Sequence, residues 1–281
     1  MKLRTLMSVA AVLQAVGTFA SPSWTFTPAG ASVSDGSAGT IASSDGVWEL
    51  KVLIVKASDK TLAIGSKTDS QQAGGGHAFV RGSGDLDLRG AVTRANTSET
   101  WKIVNLNWGS LGRGATSGFV SPGSLYAPTT LKAMNRCFAC TDSCYQSFTN
   151  VVVEDGITEI GARFFKECLN LNTVKFGKDV AKVGEKTFLY CMSLESVEID
   201  NPDFDLSSLD GAINYHTAIK PDGSLYPIPN VTVAGCQQTL EGKAALTDAN
   251  WADLGAVVPG TPMEDYTGYH FFRIVLKKIG E

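Results

Sequence analysis

Three of the six cysteines lie close together in the sequence and could bind a metal or form a disulfide. Cys137, Cys140 and Cys144 follow the spacing C-x-x-C-x-x-x-C, which iron–sulfur and zinc sites also use. A metal would need a fourth ligand, and neither a nearby histidine nor a second C-x-x-C pair supplies one. Cysteines of exported proteins more often pair or lie buried. We therefore predict no metal and no other cofactor, and a disulfide between Cys137 or Cys140 and a nearby partner.

The other residue types that usually carry catalysis are few and scattered. The three histidines are His77, His216 and His270, and none belongs to an H-E-x-x-H or G-x-S-x-G motif. Asp85 and Asp87 would share one face of a strand, which we interpret as a polar outward face rather than a calcium site. We therefore predict that the protein is not an enzyme.

The composition is that of an ordinary folded protein. Of the 281 residues, 43% are hydrophobic and 19% are charged. This length allows roughly two domains. The formal charge of −4 argues against a nucleic-acid-binding protein, because such proteins usually carry a basic stripe.

Residues 1–20 are predicted to be a signal peptide. Lys2 and Arg4 precede a short apolar run over residues 6–16, and Ala20 suits a small-residue cleavage site, so that the mature chain would begin at Ser21. The run is too short for a membrane helix, which needs about 20 apolar residues. We expect a secreted or cell-surface protein with no membrane span in its mature chain.

A sequence repeat between residues 125 and 199 organises the chain. Seven apolar or small positions recur with a step of 23 (183 − 160): Ile160, Gly161, Phe165, Cys168, Leu171, Val174 and Phe176 fall on Val183, Gly184, Phe188, Cys191, Leu194, Val197 and Ile199. A looser copy with a step of 26 (160 − 134) places Leu125, Ala127, Leu131 and Met134 on Val151, Val153, Ile157 and Ile160. Self-similarity at a fixed period in this range predicts a stack of repeated units.

Each repeat is predicted to form one coil of a short solenoid. Val174 and Phe176 are two residues apart, so they point to the same face of a short strand. The apolar residues that follow are spaced for helical or 3₁₀ turns. Cys168 and Cys191 occupy equivalent positions, where small buried thiols are expected, and Gly184 would supply a positive φ or a close approach. One coil cannot bury its apolar edges alone, so the coils must stack and the flanking segments must cover the ends.

These residues resemble a known family. The stretch "GITEIGARFFKECLNLNTVKFGKDVAKVGEKTFLYCMSLESVEI" is similar to the BspA-like leucine-rich repeat, whose pattern is I-x-x-I-G-x-x-x-F-x-x-C-x-x-L-x-x-I-x-I-P. Upstream, "SLYAPTTLKAM" fits the strand-and-turn half of the pattern, whereas residues 135–145 interrupt its spacing. The resemblance implies a secreted or surface-exposed protein that acts in adhesion and protein binding, and it identifies no ligand.

Residues 21–119 are predicted to form an N-terminal β-rich region that caps the repeats. Apolar residues recur at every second position over residues 48–54, and glycine-containing turns separate several more short runs. The pattern suggests a small sandwich or an irregular β-solenoid. We favour the solenoid because "GSGDLDLRG" looks like a coil edge that could pass its sheet to the strands at Leu125 and Val151.

The remaining boundaries follow from composition. Residues 120–213 are assigned to the repeats, 214–230 to a linker rich in Pro and Gly, and 231–281 to a small C-terminal β module. Trp251 is interpreted as part of the core of that module. The predicted fold is therefore mainly β with short helical or 3₁₀ segments, a short leucine-rich-repeat solenoid flanked by two β-rich regions.

The outward residues of three repeat strands are predicted to form a binding surface. They stand in two columns across three coils: Asn150, Thr173 and Ser196, and Val152, Lys175 and Glu198. We expect a monomer that presents this surface to an extracellular protein or glycan and binds no nucleic acid. The alternatives are a surface that is merely exposed to solvent, an accessory domain of an extracellular glycan-degrading enzyme system, and a structural envelope component. The enzyme alternative requires two facing carboxylates, roughly 5 to 10 Å apart.

The disulfide hypothesis predicts four free thiols rather than six in the denatured, non-reduced protein, because one disulfide consumes two of the six cysteines. Thiol titration measures this number, with the reduced protein as the control. A count of six before reduction would exclude the disulfide.

Overall fold

A computed structural model describes most of the chain. The described residues are 20–65, 78–107, 111, 123–131, 148–166, 168–213, 229–245, 247–255, 266, 268–269 and 271–279. The predictions made for residues 1–19 of the signal peptide and for most of the linker lie outside these residues. The same holds for Cys137, Cys140, Cys144 and the three histidines His77, His216 and His270.

The N-terminal region forms a closed barrel. The first eight strands are β1 (Trp24–Pro28), β2 (Ala38–Ser43), β3 (Glu49–Lys56), β4 (Thr61–Ile64), β5 (Phe79–Arg81), β6 (Leu86–Asp87), β7 (Val92–Arg94) and β8 (Thr100–Leu106). Of these, β6 belongs to the next sheet, and the other seven belong to the N-terminal region. Six of them are neighbours in the order β2-β1-β7-β8-β4-β3, and β2 also pairs with β3, which closes the ring. The expected irregular solenoid is therefore wrong for this region. Alternation of apolar residues reveals strands, but it does not reveal that distant strands close on one another.

Large apolar side chains fill this N-terminal unit. Trp48 is 1% exposed and Leu50 is fully buried, as the alternation predicted. Phe26 packs on Trp101 with ring centroids 4.9 Å apart. Gly82 lies against the Trp48 ring at φ +149°, where any added Cβ would overlap the indole.

The repeat region forms a parallel sheet. Its elements are β9 (Ser124–Ala127), β10 (Asn150–Val153), β11 (Glu159–Ile160), β12 (Thr173–Phe176), β13 (Lys182–Val183), β14 (Ser196–Ile199), α1 (Ser207–Ile213) and β15 (Asn230–Val233). The strand order is β6-β9-β10-β12-β14-β15. Val174 stands between Val151 and Val197, as the step of 23 requires, and Leu125 pairs with Val151, as the step of 26 requires.

The sheet extends by one strand beyond the recognised repeats at each end. Leu86 pairs with Leu125, so "GSGDLDLRG" does join the repeat sheet, as expected. Val231 pairs with Val197, so residues 230–233, predicted to lie in the linker and the C-terminal module, instead form a strand of the repeat sheet. The interval of 34 residues (231 − 197) breaks the period, so the sequence pattern could not reveal the pairing.

The segments that return the chain from one repeat strand to the next are made of turns and short strands. β11 and β13 form a second, two-stranded parallel sheet. The expected helical or 3₁₀ turns are present as single turns with i to i+3 hydrogen bonds: the Cys191 N–H, for example, donates to the Phe188 oxygen at 3.1 Å. Cys168 and Cys191 are each 1% exposed, which confirms the prediction that these residues are buried. Gly184 approaches Ala162 so closely that a Cβ would overlap its backbone.

Main-chain acceptors at the N-terminal edge of the parallel sheet are covered by tryptophans. The Trp48 Nε1 donates to the Asp85 oxygen at 2.7 Å, and the Trp24 Nε1 donates to the Asp87 oxygen at 3.0 Å. Both tryptophans are 1% exposed. The N-terminal unit therefore supplies the hydrogen bonds that a further strand would otherwise make.

The C-terminal module is a three-stranded antiparallel sheet of β16 (Cys236–Lys243), β17 (Ala252–Asp253) and β18 (Phe271–Lys278). Trp251, interpreted above as core, is instead half-buried beneath two cations, with Lys243 Nζ 4.9 Å and Arg273 Cζ 4.6 Å from its ring centroid. Cys236 and Leu276 pack against the hydrophobic core that the N-terminal unit and the repeats share.

Phe188→Ala should destabilise the protein strongly. Phe188 is fully buried and stacks on Phe165 with centroids 5.5 Å apart, so its truncation should cost about 3–5 kcal/mol. Tyr190→Ala in the same repeat is the control, because Tyr190 is 46% exposed. The measurement is urea denaturation of each variant. Equal losses of stability in the two variants would contradict a stacked aromatic core.

Candidate binding surface

The six predicted surface residues lie together on one face of the parallel sheet. Along each repeat strand, buried residues alternate with half-buried ones, and the half-buried ones include all six. The strand register places Thr173 between Asn150 and Ser196, and Lys175 between Val152 and Glu198. Adjacent strands are about 4.8 Å apart, so each column is a regular row of side chains.

Both columns continue onto neighbouring strands. Ser124 and Tyr126 extend them on β9, and Asn230 and Thr232 extend them on β15. The sequence repeat with a step of 26, which places Leu125 on Val151, is sufficient to predict the positions of Ser124 and Tyr126. No comparable signal exists for the second pair, because the period is broken before β15.

The first column is joined by side-chain hydrogen bonds. The Thr173 hydroxyl donates to Asn150 Oδ1 at 2.6 Å. The Asn150 Nδ2 in turn donates to the Thr149 hydroxyl at 3.1 Å and contacts the Ser124 hydroxyl at 3.5 Å. This column is therefore an ordered row of amide and hydroxyl groups.

The second column carries charge. Lys175 Nζ lies 2.9 Å from Glu198 Oε1 and 3.1 Å from Asp200 Oδ2. Burial alone would lower the pKa of Lys175, but the hydrogen bonds to both carboxylates outweigh burial and hold this pKa above its ordinary value. Two carboxylates share one ammonium group here, which leaves this part of the surface negative.

A second charged group lies where the face meets the barrel. Arg89 donates to Asp87 at 2.7 Å and to Glu154 at 2.8 Å, and its guanidinium lies 4.3 Å from the Tyr126 ring centroid. Burial alone would raise the pKa of Asp87, but hydrogen bonds from Arg89 and Ser21 outweigh burial and lower it. The same bond to Asp87 raises the pKa of Arg89. Arg89 thus ties β6 to the end of β10 across β9.

Metal ligands, thiols and carboxyl groups are the side chains among the described residues that bear on catalysis. They contain no group of three or more His, Cys, Asp or Glu side chains that could hold a metal ion. Burial raises the pKa of the Cys191 thiol, which makes it a poor nucleophile. Among the described residues, five carboxyl groups have a displaced pKa, and in each the pKa is lowered, the opposite of what a general acid requires: Asp45, Asp87, Glu99, Asp155 and Glu185.

Comparison with protein families identifies the repeat region. Residues 133–211 match the family described as "BspA type Leucine rich repeat region", in 6 copies. Residues 133–211 therefore consist of BspA-type leucine-rich repeats, as the sequence resemblance indicated. The match includes residues 200–211, beyond the last recognised repeat strand. No curated protein and no solved structure matches the chain.

The family match also bears on the class of function. Repeats of this family typically bind other proteins and lack catalysis, and proteins that carry them are generally extracellular or surface-exposed. Among the described residues, no helix has both the length and the apolar character that crossing a bilayer requires.

The Asp87–Arg89 interaction should make stability depend on acid pH. Because the pKa of Asp87 in the folded protein is below its ordinary value of 3.8, the stabilisation is complete above that value and is lost as the pH falls through the lower folded-state pKa. Asp87→Asn should therefore be less stable near neutral pH, by about 1 kcal/mol after allowing for solvent screening.

Urea denaturation of both proteins from about pH 6 to about pH 2 measures this difference, which should shrink as the pH falls. Asp59→Asn is the control, because Asp59 pairs with Lys56 at the exposed surface. A difference between wild type and Asp87→Asn that stays constant over this range would contradict the role given to Asp87.

Proposed function

We propose that the protein is a secreted or cell-surface adhesion protein that binds an extracellular protein through the outward face of its parallel sheet. The observation that carries the proposal is the pair of polar columns, in register across β9, β10, β12, β14 and β15. Residues 1–20 act as the signal peptide in this proposal. The repeats form a short solenoid that ends at β15, between the N-terminal barrel and the C-terminal module.

The backbone beneath these columns supports a rigid surface. Every second residue of β10, β12 and β14 is buried in a continuous core, and each of these three strands is paired on both sides. Side chains on such a scaffold lose little further conformational freedom when a partner binds, which favours affinity. Loops of the same composition would lack this advantage.

The chemistry of the face favours a protein partner over a glycan. Sugar rings stack on open aromatic faces, but Tyr126, the aromatic residue among the column residues, already has a guanidinium 4.3 Å from its centroid. Glu198 and Asp200 share Lys175 and leave a negative charge uncompensated. A partner segment with a Lys or Arg side chain would complement this part of the face.

Two positions define a direct test. Lys175→Ala with Glu198→Ala removes one charged pair from the face, and we expect binding to a responding extracellular-matrix protein to weaken about tenfold or more, as for residues at the centre of an interface. The measurement is binding of the full chain to an array of matrix proteins and glycans, followed by titration of each positive spot.

The repeat supplies a matched control. Lys182 and Glu159 are also a Lys–Glu pair from successive repeats, 3.2 Å apart, but they lie in the separate sheet of β11 and β13. Their double alanine variant should bind like the wild type. If both double variants bind equally well, the binding site is not on this face; a response confined to glycan spots would contradict a protein partner.

A further inference from the structure

The outer edge of β15 is the C-terminal end of the parallel sheet. The Asn230 N–H donates to the Glu195 oxygen at 2.7 Å, and the Ala234 N–H donates to the Ile199 oxygen at 2.8 Å, so both point toward β14 and the chain that precedes it. Alternate residues of a strand direct their main-chain groups to opposite sides. The N–H and C=O of Val231 therefore point away from the sheet, where another strand could pair with them.

The Gln238 side chain lies against this edge. With the Gln238 amide oriented so that its nitrogen faces oxygen acceptors, it donates to the Val231 oxygen at 3.0 Å and to Asn230 Oδ1 at 2.8 Å. Its oxygen accepts the Val231 N–H at 3.1 Å. Both main-chain groups of Val231 are satisfied by one amide, and β16 itself does not pair with β15.

The arrangement reproduces the bonding of one residue pair in an antiparallel sheet. In such a pair two opposite residues exchange both N–H···O bonds. The Gln238 amide presents the same donor and acceptor as the peptide groups of a Val231 from a second copy would. The edge around Val231 is complementary to itself under a two-fold rotation, which is the geometry of a symmetric dimer.

The other end of the sheet does not offer this possibility. The Asp85 and Asp87 oxygens of the β6 edge accept hydrogen bonds from two indoles that are each 1% exposed. Opening that edge would require removal of large side chains from the core. The β6 edge of one copy therefore cannot pair with the β15 edge of another. Of the two edges of this sheet, the edge of β15 is the one at which two copies could pair.

We propose that Gln238 is a lock on this edge: it keeps the protein monomeric, and without it two copies pair antiparallel through β15 around Val231. Gln238 is held in position by the neighbouring strand and by the turn that precedes β16. Gln238 pairs with Leu276 of β18, and the Ile279 N–H donates to the Gly235 oxygen at 2.9 Å, which fixes the turn between β15 and β16. The partner is a second copy of this chain, and the proposal does not depend on the ligand of the sheet face.

The test compares Gln238→Ala with Gln237→Ala in the full chain. The two residues are adjacent and identical in type, but Gln237 is exposed and points to the other face of β16. Sedimentation velocity over a range of concentrations gives the oligomeric state. Hydrogen exchange of the Val231 amide, measured by NMR, reports on the edge itself.

We expect wild type and Gln237→Ala to remain monomers with a protected Val231 amide at every concentration. In Gln238→Ala this amide should exchange roughly five- to tenfold faster when dilute, because one hydrogen bond is lost. It should become protected again as a dimer forms at higher concentration. A Gln238→Ala protein that stays monomeric, or a dimer whose Val231 amide remains unprotected, would overturn the proposal. So would dimerisation of Gln237→Ala.

Discussion

The structure depends on the parallel backbone pairing that sets one apolar side chain of each strand beside its counterpart on the next. From Leu86 to Val231, six such residues form a continuous buried row. A shift of one residue in any strand would exchange its buried and exposed side chains, because the side-chain period of a strand is two. The row therefore fixes the register, and the register fixes which residues face the solvent.

An open parallel sheet has two edges, and this protein covers them by different means. The N-terminal unit places two indole N–H groups against β6, inside a core that also includes the repeats. At β15 the cover is one amide from a separate small sheet. Uncovered edges invite pairing between chains, so the regions on either side of the repeats contribute to solubility as well as to stability.

The face of the sheet combines order with an incomplete balance of charge. A hydrogen bond between neighbouring strands holds Thr173 and Asn150 in place, and Arg89 anchors the end nearest the barrel. Toward β14, one lysine serves two carboxylates. Because these groups are half-exposed, their mutual attraction adds little to stability. Their main effect is to set the charge that an approaching partner meets.

The sequence by itself determined the repeat, its family and the face that its strands expose. Buried positions spaced by 23 or 26 residues are visible in one dimension, since each coil places the same residue at the same depth. It also determined that Cys168 and Cys191 are buried.

Only the tertiary structure decided how the sheet begins and ends. Closure of the barrel, the addition of β15 and the contact of Gln238 with Val231 each join residues whose separation follows no period. Such contacts depend on where the chain returns in space, and local patterns of polarity carry no information about that. For the same reason, the sequence carries a signal for the columns on β9, β10, β12 and β14 but none for β15.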